Sequence, residues 1–144
     1  MAENKLKALF DLNTILDVLQ KLEEFYDFSA RSLAHAETGE IQGWLAAHSV
    51  STLFNLIAKD KLPEQARVAV NSLVQFLKVA QVDQGIIEQA LNLPYRDFED
   101  AVQMSAGLYI QADYLLTRNV KDYKPALLPV IQPAELLAVL EVEK

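Results

Sequence analysis

The run Ala8-Leu9-Phe10-Asp11-Leu12-Asn13 decides the fold. A short apolar stretch passes directly into a polar tail, as a buried parallel strand does where it leaves its sheet. Leu115-Leu116-Thr117-Arg118-Asn119-Val120-Lys121-Asp122-Tyr123 has the same arrangement near the other end of the chain. Between them, Arg96-Asp97-Phe98-Glu99-Asp100-Ala101 opens a helix with three carboxylates in four residues. In an open α/β sheet, ligands gather at the carboxyl ends of strands. Carboxylates converging there repel one another unless a cation or shared protons relieve them. The economical reading is a hard-metal site, and Mg²⁺ or Mn²⁺ prefers such oxygen donors.

Outward from these segments the chain alternates strands and helices. Leu6–Phe10 reads as the first strand, and Asn13-Thr14 as the cap of a helix that turns Leu16, Leu19, Leu22 and Phe25 inward. A second helix runs from about Phe28 to Glu37 and stops at Thr38-Gly39. Ile41–Ala47 is the second strand, and Ser49–Ser51 caps a third helix reaching about Lys59. Pro63 opens a fourth helix, which continues through Val68, Leu73, Val74 and Leu77. Val79–Val82 is a weak third strand, followed by a short helix over Gly85–Leu91. Asp97–Gln111 is helical, Asp113–Thr117 and Leu128–Ile131 are the fourth and fifth strands, and Pro133–Leu140 closes the chain as a helix. This alternation predicts one three-layer α/β/α domain over residues 1–144. Its sheet has four or five strands, is mainly parallel, and pairs antiparallel at most on an edge.

A chain of 144 residues, 51% of them hydrophobic, can bury a core of its own. No apolar run reaches the length of a membrane helix, and the polar start Met1-Ala2-Glu3-Asn4-Lys5 is not that of a signal peptide. The absence of cysteine excludes disulfides, thiolate metal sites and thiol nucleophiles, and agrees with a cytoplasmic protein. Four scattered glycines exclude a phosphate-cradling loop or a dinucleotide fingerprint. The net charge of −7 argues against broad nucleic-acid affinity.

At its three polar segments the chain resembles the PIN-domain family, the metal-dependent ribonucleases that include VapC-type toxins. The resemblance is to the branch with an Asp-Phe-Glu-Asp-Ala motif, here Asp97 to Ala101, and a Thr-Arg-Asn-x-x-Asp-Phe/Tyr motif, here Thr117 to Tyr123. It extends from Asp11 to Pro133-Ala134-Glu135-Leu136-Leu137. The resemblance implies that Asp11 and Asp100 hold Mg²⁺ or Mn²⁺, with Asn119 and Asp122 adding oxygen donors. Asp97 caps the helix or supports the site, so the catalytic set is Asp11, Asp97, Asp100 and Asn119. Arg96, Arg118, Lys121 and Lys124 either contact RNA phosphates at the mouth or compensate the acids. His35 and His48 are lone histidines, read as packing or surface.

The implied activity is endoribonuclease cleavage of single-stranded RNA by a metal-activated water, in a chain that forms a homodimer and can be the toxin partner of an antitoxin protein. Two departures from the pattern stand out. The helix after the second strand, where the family usually carries a glutamate, has no carboxylate between His48 and Leu56, leaving Thr52 or Asn55 in its space. Asn119 stands where many members have aspartate. A non-catalytic PIN-like module that binds RNA or protein through a degraded metal site is therefore the alternative. A metal-dependent phosphatase on a similar frame is a more distant one.

Overall fold

Ala8, Leu9 and Phe10 are at most 1% exposed, because the first strand lies in the middle of the sheet with layers of helix on both sides. In the computed structural model, which describes residues 5–142, β1 (Lys7–Phe10) pairs in parallel with β2 (Gln42–Ala46) and with β4 (Tyr114–Leu116). Leu9 sits opposite Trp44 on one side and Leu115 on the other. β3 (Leu77–Ala80) extends the sheet beyond β2, and β5 (Val130–Ile131) extends it beyond β4. The order is β3-β2-β1-β4-β5, and every pairing is parallel. The polar start Met1–Asn4 lies outside the described residues.

Among the described residues seven helices cover the two faces: α1 (Leu12–Leu19), α2 (Glu23–Glu37), α3 (Ala47–Asp60), α4 (Pro63–Val74), α5 (Gln84–Leu91), α6 (Phe98–Tyr109) and α7 (Pro133–Val142). Side chains alternate across a strand, so Ala8 and Phe10 join one core and Leu9 the other. The first core packs Phe10 with Ile15, Leu33, Leu53, Leu73 and Leu136, from α1 to α4 and α7. The second packs Leu9 and Leu115 with Ile86, Ala90, Val102, Met104 and Ala106, from α5 and α6. None of these helices is long and apolar enough to cross a membrane.

Several boundaries differ from the sequence reading, each for a local reason. The cap of α1 is Asp11, whose backbone carbonyl accepts from the Thr14 amide and hydroxyl, so its carboxylate is not the capping group. α2 starts at Glu23 instead of near Phe28, after Lys21 turns the chain with φ of 50°. Phe25 therefore belongs to α2, and Leu19 and Leu22 are each 37% exposed. α3 begins at Ala47, straight from the strand, and Ser49–Ser51 lie inside it rather than capping it. α4 ends at Val74, so Leu77 opens β3 and packs from a strand.

Strand order puts the chain's reversal at β1. From there it moves outward through β2 and β3, then returns to β4 and β5 on the other side. A crevice forms at such a point, outside the carboxyl ends of the diverging strands. Asp11 and Thr117 are the residues immediately after β1 and β4.

Candidate metal centre

Asp11 leaves β1 with its amide donating to Leu116 O at 2.8 Å, which fixes it beside the end of β4. The Thr117 hydroxyl donates to Asp11 Oδ2 at 2.7 Å, and the Asn119 amide donates to Thr117 Oγ1 at 3.1 Å. From the opposite side Gln103 on α6 brings Nε2 to 3.5 Å from Asp11 Oδ1. Burial raises the Asp11 pKa above its ordinary value; the Thr117 hydroxyl, the amides of Asn13 and Leu12, and the Arg118 charge work against that rise.

α6 delivers the other acids. Asp97 caps it, with Oδ1 accepting from the Glu99 amide at 2.8 Å. Asp100, one turn in, is half-buried with its carboxyl pushed up to about 6. Burial is the largest cause and Asp97 the next, with smaller repulsion from Asp11 and Asp122; the Tyr123 hydroxyl pulls the other way. A carboxyl lifted in this way by its neighbours is one that a cation would hold ionised.

These groups surround a cavity of about 220 Å³. Asp11, Asn13, Asp97, Glu99, Asp100, Asn119 and Asp122 line it, together with Leu12, His48, Ser49, Gln103 and Tyr123. All three polar segments thus meet at one point, although they are far apart in the chain. A second cavity of about 720 Å³ adjoins it, lined by Pro94, Arg96, Lys121 and Lys124 and sharing Asp97, Asp100 and Asp122. Arg118 lines neither. Its guanidinium lies 3.5 Å from the buried Asp17 and 4.3 Å over the Phe25 ring, so charge compensation rather than the mouth of the site is where the structure puts it.

The donor set is hard: carboxylate, carboxamide and hydroxyl oxygens. Among the described residues, however, no group of three or more His, Asp and Glu side chains converges tightly enough to hold an ion. Asp11 and Asp100 with neutral oxygens fit one divalent cation that keeps several waters, as Mg²⁺ does when one or two carboxylates hold it. They do not fit a tight two-metal cluster.

Three lining residues escaped the sequence reading. His48, read there as packing or surface, faces the cavity, with its pKa lowered by burial against the opposing charges of Glu99 and Asp11. Gln103 and Tyr123 are buried residues of the cavity lining. A lone glutamine inside the small and apolar stretch Ala101–Gly107 was the available signal for the first.

A family model described as PIN domain matches residues 7–121, a span that contains the first two polar segments and the third as far as Lys121. No curated protein matches significantly. Among solved structures, a toxin-antitoxin complex from Klebsiella pneumoniae is similar at 21% identity and a TM-score of 0.67, over 88% of this chain and 97% of that one. VapBC2 from Rickettsia felis, bound to a DNA fragment from its promoter, aligns at 15% identity and 0.70, over 88% and 98%. VapC20 from Mycobacterium tuberculosis, a Sarcin-Ricin loop cleaving toxin, aligns at 14% and 0.58, over 75% and 86%. At these identities the likeness is one of fold.

Proposed function

The chain belongs to the PIN-domain family, and from that premise we propose that it is a metal-dependent endoribonuclease acting on single-stranded RNA in the cytoplasm. The observation that carries this reading is the meeting of Asp11, from the end of β1, and Asp100, from α6, in a small polar cavity where burial and then like charge lift Asp100. Asp11 and Asp100 would hold one Mg²⁺ or Mn²⁺, with Asn119 and Asp122 beside them as further oxygen donors. When bound, such a cation lowers the pKa of a coordinated water and offsets charge on a phosphoryl group.

The chain's own residues supply the rest. Thr117 and Gln103 orient the Asp11 carboxylate from two sides. Asp97 caps α6 and so places Asp100. Arg96, Lys121 and Lys124 wall the larger cavity, where they would contact phosphates on one side of the cleaved bond. Without them, the acids and a net charge of −7 would repel the substrate.

A toxin role belongs to the same proposal, with an antitoxin protein as partner, supported by fold likeness to chains from toxin-antitoxin complexes. Assembly as a homodimer is proposed too, resting on apolar side chains exposed on α2 and α4, such as Phe28 and Val68. Light scattering at micromolar concentration would reject it by giving a monomer mass. The second reading, a binding module with a degraded site, is favoured by two absences among the described residues: a tight group of three acids, and a carboxylate between His48 and Leu56 on α3.

A Mn²⁺ titration separates the two. Above the dissociation constant, each tenfold rise in Mn²⁺ should add about 1.4 kcal/mol to stability. Asp100→Asn should abolish both that gain and RNA cleavage. A wild-type melting curve that millimolar Mn²⁺ leaves unchanged would decide for the binding module.

A further inference from the structure

Two deeply buried side chains that line the acidic cavity each carry a polar atom without a hydrogen-bond partner. Gln103 is 3% exposed and Tyr123 2% exposed. Neither Gln103 Oε1 nor the Tyr123 hydroxyl makes a hydrogen bond of good geometry, although buried polar atoms are rarely left unpaired. Both side chains line the cavity. Were packing their only role, leucine and phenylalanine would fill the same space at no polar cost.

Their placement ties them to the two acids. Gln103 follows Asp100 by three residues on α6, hence on the same helical face, and directs Nε2 at Asp11 Oδ1. The Tyr123 hydroxyl faces Asp100 and Gln103. Its ring is held edge-on against Tyr95, with centroids 6.1 Å apart. A phenol is a hydrogen-bond donor at neutral pH.

We propose that Gln103 and Tyr123 are positioning residues, a neutral bridge that sets the spacing of Asp11 and Asp100 for one divalent cation. This rests on the metal-site reading above. Thr117 already takes Asp11 Oδ2, so a donor on Oδ1 fixes the plane of that carboxylate. The Tyr123 hydroxyl, which faces Asp100, would do the same for that carboxylate. Neutral donors suit the task because a lysine or arginine there would cancel the charge that attracts the cation.

Tyr123→Phe and Gln103→Leu keep the volume and remove the donors. Calorimetric titration should show Mn²⁺ bound about ten- to a hundredfold more weakly by each, while the metal-free melting temperature is unchanged or higher. Affinity within about twofold of wild type in Tyr123→Phe would overturn the proposal. So would a lower metal-free melting temperature that accounts for the loss, since that is the mark of a packing role. A second measurement needs no metal: the side-chain amide resonances of Gln103 in the metal-free protein. They should move in Tyr123→Phe and in Asp11→Asn, and unmoved resonances would overturn the bridge. A wild type that gives no Mn²⁺ heat overturns the metal reading and the cation half of this inference, and the resonances then decide the bridge alone.

Discussion

Asp100 is the residue whose environment most constrains the site. Its carboxyl is pushed up to about 6, so the folded state binds that proton more tightly than the unfolded chain does. Its contribution therefore favours folding below the ordinary carboxylate range and is lost as pH rises through about 6. With solvent screening of a half-exposed group, the loss is about 1 kcal/mol. Metal-free Asp100→Asn should then melt about 3 °C above wild type at pH 7.5 and level with it near pH 4. A variant that melts below wild type at neutral pH would show that Asp100 is not under repulsion. The three polar segments were legible at this scale because each pairs a strand end or helix start with acids. Gln103 was not, because its meaning comes from Asp11, 92 residues away in sequence.

Among the elements, β2 and α2 approach most closely at Gly43. A Cβ there would stand 2.6 Å from Leu77 Cδ2, 2.8 Å from the Ala36 Cβ and 3.2 Å from Phe10 Cε1. Leu77 is 2% exposed, so it cannot swing out into solvent, and the Ala36 Cβ moves only with its helix. Gly43→Ala should cost about 1–3 kcal/mol by overpacking, read as a lower urea midpoint with unchanged slope. A midpoint equal to wild type would mean that α2 shifts freely, and would remove the argument that this contact fixes the helix on the sheet. Element type was legible throughout from apolar spacing, whereas three boundaries were not. Leucine spacing runs unbroken across Lys21-Leu22, where neither glycine nor proline marks the turn. α3 starts with no side-chain cap to announce it. Between Val74 and Leu77 the chain passes from helix to strand through Gln75-Phe76, which carry no stop signal.

At the scale of the whole molecule the question is how a chain of net charge −7 would attract RNA. The mean field repels it, so binding must depend on a local reversal of sign. Arg96, Lys121 and Lys124 on the wall of the larger cavity offset Asp97, Asp100 and Asp122, which share it, and a bound cation would complete the reversal, whereas Arg118 is spent on Asp17. Three phosphate contacts to a single strand give a slope of about −2 for log affinity against log salt. Each doubling of salt should then weaken RNA binding about fourfold. Lys121→Ala and Lys124→Ala should each make the slope shallower by about 0.7, uniformly across RNA sequences. Arg118→Met should leave the slope alone while destabilising the fold, because it strands the buried Asp17 carboxylate without its partner. Fluorescence anisotropy with a short single-stranded RNA in Ca²⁺, to suppress cleavage, reads all three variants. A slope that Lys121→Ala and Lys124→Ala leave unchanged would place the RNA elsewhere. A slope that falls with Arg118→Met would return that arginine to the mouth of the site, at the expense of the pairing seen with Asp17.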